Sequence, residues 1–283
     1  MAGERLWPVA DRATRVFWRV VGRKIDLSED TWLQAPTAVR GPVEDSWIHA
    51  EALRIGGTVG VGAAVEGLLP RMDALAGPNF DPSRLTPSIR DFYERTSTWR
   101  MQAWTQWSPG FAPWGSLVER FYGRRVQQLA LPVNPMSVAY GVDSSITGVA
   151  DADGRHAGSA WLRTLRESGD YLFSGYYRIA LLPNTAQPCV HVSFPLESGN
   201  VQVFLDPEVC DDGSLLLTSG KGAFGDIGAY VTVVENGKVY AARIPIHERF
   251  HVFEDSEGVL RTDHELRLWR ARAMALHYRM DPR

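Results

Sequence analysis

The sequence predicts an α+β protein in which a mainly helical part, residues 1–132, packs on a long antiparallel β-meander, residues 133–283, that forms a curved sheet or barrel. Three observations carry that expectation. Apolar residues recur at steps of three and four through much of the first part. From about Ser137 the period changes to two. Turn chemistry then punctuates the alternating runs at Asp153-Gly154, Gly199-Asn200, Asp212-Gly213, Asn236-Gly237 and Glu257-Gly258. No repeat, low-complexity tract or linker divides the chain, so residues 1–283 read as a single domain.

Taken in order, the first element is an amphipathic helix over Val9–Lys24. Val9, Ala13, Val16, Phe17, Val20 and Val21 make its apolar stripe, and Arg12, Arg15, Arg19 and Arg23 lie opposite. A terminal helix with a solvated arginine face accounts for this better than attachment to a membrane surface. The glycine patch Gly56 to Gly62 has Val65 where a phosphate loop of the G-x-G-x-x-G type needs its last glycine, and reads as a turn. Thr86 and Pro87 then open a helix expected to run to Trp107, before Ser108-Pro109-Gly110. A further helix is expected over Gly115 to Leu129. Trp99, Trp104, Trp107, Phe111 and Trp114 concentrate aromatic surface here, either packing on the sheet or walling a site for an apolar ligand.

The strands expected are Met136–Val149, Arg155–Arg166, Tyr171–Leu182, Val190–Phe194, Val201–Leu205, Ser214–Thr218, Ala229–Glu235, Val239–Ile246, Glu248–Glu254, Val259–Trp269 and Ala273–Met280. Asn236-Gly237 between two alternating runs is the strongest hairpin signal of the set.

Composition narrows the function classes. Hydrophobic residues make up 45% and charged residues 22%, enough for a sizeable core. A net charge of −3 argues against a general nucleic-acid binder. Two cysteines, Cys189 and Cys210, are no disulfide framework and fit a reducing compartment. The first residues lack a signal-peptide layout, and no apolar run has the length of a membrane-spanning helix. A soluble cytoplasmic protein is the expectation.

One string names a chemistry. His247-Glu248-Arg249-Phe250-His251 is H-E-x-x-H, which on a helix places two imidazoles on one zinc ion and the glutamate beside the metal-bound water. Here it lies between two hairpin signals, and read as a strand it divides differently. Ile244, Ile246, Glu248, Phe250 and Val252 share one face, while His247, Arg249, His251 and Phe253 share the other. On the following strands His264 falls with Leu260, Thr262 and Leu266, and Tyr278 with Met274, Leu276 and Met280. If these faces turn inward, Glu248, His264 and Tyr278 are polar groups in an apolar cavity. Glu248 and His264 then become candidates for proton transfer, with Tyr278, Trp99, Trp104 and Trp107 contacting the ligand. The expected function is binding of a small, largely apolar molecule, as a carrier or as a cofactor-free isomerase or cyclase. The alternative is a zinc-dependent hydrolase with His247 and His251 as ligands and Glu248 as base.

Three stretches carry a resemblance: Phe194-Pro195-Leu196-Glu197-Ser198-Gly199-Asn200-Val201-Gln202-Val203, Leu260-Arg261-Thr262-Asp263-His264, and Leu276-His277-Tyr278-Arg279. In them the chain resembles an uncharacterised group of actinobacterial proteins, which implies no function. The expected order of helices followed by a meander also resembles calycin-type and helix-grip barrels, which enclose apolar small molecules and include both enzymes and carriers.

Overall fold

Long alternating runs joined by two-residue turns leave the chain little choice but antiparallel pairing, and the computed structural model is built on it. It describes residues 16–38, 44–60, 67–109 and 141–283. Of these, 51% are strand and 16% helix. After a helical segment at 16–21 come β1 (Arg23–Ile25), α1 (Ser46–Arg54), β2 (Thr58–Val59), α2 (Pro87–Glu94) and β3 (Trp99–Trp107). The meander proper is β4 (Val142–Ala150), β5 (His156–Leu165), β6 (Tyr171–Ala180), β7 (Cys189–Leu196), β8 (Gly199–Val209), β9 (Leu215–Thr218), β10 (Gly228–Glu235), β11 (Lys238–Ile244), β12 (Ile246–Glu254), β13 (Leu260–Leu268) and β14 (Ala271–Pro282). The β10–β11 turn has φ of 51° at Asn236 and 70° at Gly237, the two positive values that a type I′ hairpin requires.

The strands hydrogen-bond in the order β2-β4-β5-β6-β7-β8-β9-β12-β13-β14-β3. The path forks at β8: its first half pairs β10, which leads to β11 and β1, while its second half pairs β9. β2 and β3 are the two ends of that path, so among the described residues the sheet curls without closing. Side chains span part of the opening. Arg163 Nη2 of β5 reaches the Met101 carbonyl of β3 at 3.5 Å, and Arg283 Nη2 reaches the Ser144 carbonyl of β4 at 3.4 Å.

This corrects the expected fold class. There is no helical half packed on a sheet: three short α-helical segments are present among the described residues, and three strands lie before residue 132. Nor does the sheet close into a barrel among the described residues. The decisive difference lies after Thr86, where the helix ends at Glu94 and Trp99–Trp107 is a strand. Thr96 Oγ1 donates to the Phe92 carbonyl at 2.6 Å, tying off the last turn. In β3, Trp99, Met101, Ala103, Thr105 and Trp107 are shielded while Arg100, Gln102, Trp104 and Gln106 are exposed, the period of two that β-favouring tryptophan and threonine support. The helix expected over Gly115 to Leu129, with Phe111 and Trp114, lies outside the described residues, as does the start of the Val9–Lys24 helix.

Three cores hold the sheet. The largest lies inside the curl, between the β4–β8 limb and the β9, β12–β14 limb, with α2 and the turns around it across one end; Leu69, Ile89, Phe194, Leu215 and Leu260 are among its buried members. On the outer face of β5 and β6, α1 packs Trp47 against Tyr176 at 5.8 Å, and Trp47 Nε1 donates to Ser174 Oγ at 2.8 Å. On the outer face of β8 and β10, Trp32 packs against Phe204 and Tyr230. Arg178 and Gln202 fasten that segment by donating to the carbonyls of Trp32, Leu33 and Gln34.

Candidate functional site

Residues of β3 to β9 and β12 to β14 enclose a cavity of about 390 Å³ within the largest core. That is in the range of sites for small organic ligands. Most of its wall is apolar, with Leu68, Trp161, Phe173, Val192, Leu217 and Phe250 among the contributors.

The polar part comes from register. Phe250 lies opposite His264, Thr262 opposite Tyr278, and Glu248 opposite Leu266, so the expected alternation turns Glu248, His264 and Tyr278 to the same side. His264 Nε2 lies 3.1 Å from Glu248 Oε2, and the two side chains are only 9% and 10% exposed. Tyr278 Oη is 3.4 Å from His264 Nδ1. The tautomer consistent with both contacts donates Nε2–H to the carboxylate and accepts from the tyrosine. Phe250 stacks on the imidazole with ring centroids 3.8 Å apart and planes 17° from parallel, which fixes the ring's tilt. Burial drives the Tyr278 hydroxyl well above the usual phenol range.

The expected aromatic wall is largely elsewhere. Trp99 is 7% exposed in the core, with Nε1 donating to Asp91 at 2.9 Å, and is not on the cavity wall. Trp107 is also off it. Trp104 points outward, 52% exposed, and touches the cavity only at its rim. A helical reading of β3 put these side chains on the wrong faces, because period two sends Trp104 to the side opposite Trp99 and Trp107. Much of the aromatic lining comes instead from Trp161, Phe173, Tyr177 and Phe194, within a chain of rings 5.2–6.3 Å apart.

A second group went unnoticed in the sequence. Arg163 and Tyr177 enter the cavity from β5 and β6. Burial lowers the Arg163 pKa from its ordinary value and raises that of Tyr177 well above its own. Tyr177 and Tyr278 both lie within electrostatic reach of Arg163 and of Glu248. The available signal was the one Arg, Lys, Asp or Glu of β5, two positions after Trp161 and so on the same face.

The H-E-x-x-H string is in β12, an extended strand. His247 and His251 therefore stand about 13 Å apart along the backbone (four steps of about 3.3 Å) instead of one helical turn. Glu248 points to the opposite face. His251 Nε2 is engaged by Ser214 Oγ at 2.9 Å. Among the described residues no group of three His, Cys, Asp or Glu side chains is arranged to hold a metal. In this strand the H-E-x-x-H residues do not fit a zinc ion.

Over 219 residues the chain is 29% identical to a protein of Bacillus subtilis (strain 168) named as the uncharacterized membrane protein YndJ. The match covers 76% of this chain and 38% of that protein, so the chain spans well under half of the relative's length. No family model matches, and no solved structure matches. Among the described residues, no helix is long and apolar enough to cross a membrane.

Proposed function

We propose that the cavity binds a small, largely apolar molecule. The observation that carries this reading is the combination of about 390 Å³ of apolar-walled space with a few convergent polar groups on one side. A structural core has no use for such a space, since interiors close to crystal-like density and an unfilled void forfeits packing. The relative's name as a membrane protein is compatible with a ligand drawn from a bilayer. The test is titration with Nile red, a neutral apolar fluorophore, against the protein and against Ala103→Trp. Ala103 lines the cavity opposite Tyr278, and an indole there fills it. Saturable binding in the parent protein that is lost in a folded variant supports the reading. Equal binding in both, or none in either, removes it.

The Glu248–His264 pair favours an added role in chemistry. A carboxylate and an imidazole 3.1 Å apart in an apolar cavity can take a proton from one atom of a ligand and return it to another, as a cofactor-free isomerase or cyclase requires. Glu248→Gln would then keep ligand affinity and lose turnover. A carrier would show no turnover in either form.

A further inference from the structure

Arg163 is a half-buried cation with no counter-charge among the described residues. It sits on β5 between Ser144 of β4 and Phe173 of β6, with Trp161 on the same face. Its Nε is shielded from solvent and has no hydrogen-bond partner. Its Nη2 makes a single long contact, 3.5 Å to the Met101 carbonyl. The guanidinium carbon lies 5.9 Å from the centre of the Trp161 ring, and no ion pair to Arg163 is present among the described residues. Arg178 shows how this fold satisfies a buried arginine when structure is the purpose. Its Nε donates to His191 at 2.7 Å, and its Nη2 donates to two backbone carbonyls at 3.0 and 2.6 Å.

A guanidinium whose Nε is shielded and unpartnered beside an apolar wall is costly, and the cost is recovered when a ligand brings the missing charge. Resting on the apolar-cavity reading above, the geometry points to Arg163 as the anchor for the anionic head, of carboxylate type, of an amphipathic ligand. The apolar body then lies along Trp161, Phe173, Val192 and Leu217. Tyr177 and Tyr278, which line the same cavity as Arg163 and Glu248, offer hydroxyl donors to the head. The carboxylate of Glu248 disfavours a second anion at its own end, which sets the direction in which the ligand enters.

The experiment displaces Nile red from the full chain with decanoate and with decanol at neutral pH. The parent protein is to bind decanoate about tenfold or more tighter than decanol, the gain of a charge-assisted over a neutral hydrogen bond. Arg163→Met is to bind the two alike, with decanol unchanged, and to unfold no more easily than the parent because it gives up an uncompensated, half-buried charge. Arg163→Lys keeps the charge but not the planar fork, and is to show an intermediate preference. Equal affinity for both ligands in the parent overturns the anchor while leaving the cavity reading intact. So does a preference that survives Arg163→Met, or a collapse of folding in that variant. If Nile red and both ligands fail to bind, the cavity reading itself falls and the anchor with it.

Discussion

Replacing Glu248 and His264 by leucine, singly and together, measures whether the buried pair acts as a unit. Each side chain is at most one-tenth exposed, and the atoms in contact are 3.1 Å apart. Glu248→Leu leaves the His264 Nε2–H pressed under Phe250 without an acceptor, and His264→Leu leaves the carboxylate facing apolar wall. A buried polar group stripped of its partner costs about 1–3 kcal/mol, and about 3–5 kcal/mol where the pair is ionic. Each single variant is therefore expected to lose about 2 kcal/mol or more. The double variant puts two apolar side chains into an apolar wall and leaves nothing unsatisfied except the long Tyr278 contact. Its loss should fall short of the sum of the singles by about 1.5–3 kcal/mol. Urea unfolding with an unchanged m-value gives the three differences. Additivity to within about 0.5 kcal/mol would refute the claim that these residues form a coupled buried pair.

Acid should destabilise the fold through His191. That imidazole is fully buried, stacked on Phe204 at 4.2 Å, and accepts from Arg178; burial and then the arginine hold its pKa well below 6.5. Below about pH 6.5 the unfolded chain takes up a proton that the folded chain refuses, so stability is level above that pH and falls as pH drops, by about 1.4 kcal/mol per unit. His156, lowered by burial, adds a contribution of the same sign. His191→Gln is expected to reduce the slope between about pH 6.5 and 5; an unchanged slope assigns it to other groups. Gly199→Ala is expected to cost about 2 kcal/mol or more, because a Cβ there would stand 2.1 Å from the Thr232 carbonyl oxygen. Gly220→Ala, with nothing nearby, serves as the neutral control in the same denaturation series. Trp104→Ala is expected to leave Nile red affinity unchanged, since that ring lies on the outer face. A loss of affinity there would return the tryptophan to the site.

The sequence exposed the meander and one wall of the site, for a single reason. Along β12, β13 and β14 the alternation is strict enough that Phe250, His264 and Tyr278 had to share a side, and the one register irregularity, at Leu266/Arg267, comes beyond them. The turn residues fixed strand ends just as locally, with Asn236-Gly237 the clearest instance. β3 misled because Arg100, Ala103, Trp104 and Trp107 continue the steps of three and four of Ile89, Phe92, Tyr93 and Thr96, and only tertiary pairing with β14 decides between the periods. The fork at β8 is not local at all: nothing in its sequence says that Val201 faces β10 while Pro207 faces β9. Arg163 escaped notice for a related reason. Its strand was recognised, but which face turned toward the cavity depended on α1 covering the other one through Trp47.

The most direct test of the central claim, an occupiable cavity at the heart of the sheet, is methyl NMR of the methionines during a decanol titration. Met101, Met274 and Met280 line the cavity, whereas Met72 is buried in the core away from its wall. Saturable shifts and ligand contacts are expected at the first three methyl groups, with a still signal from Met72. Contacts confined to other sites, or uniform small shifts at all four methyl groups, would contradict the claim.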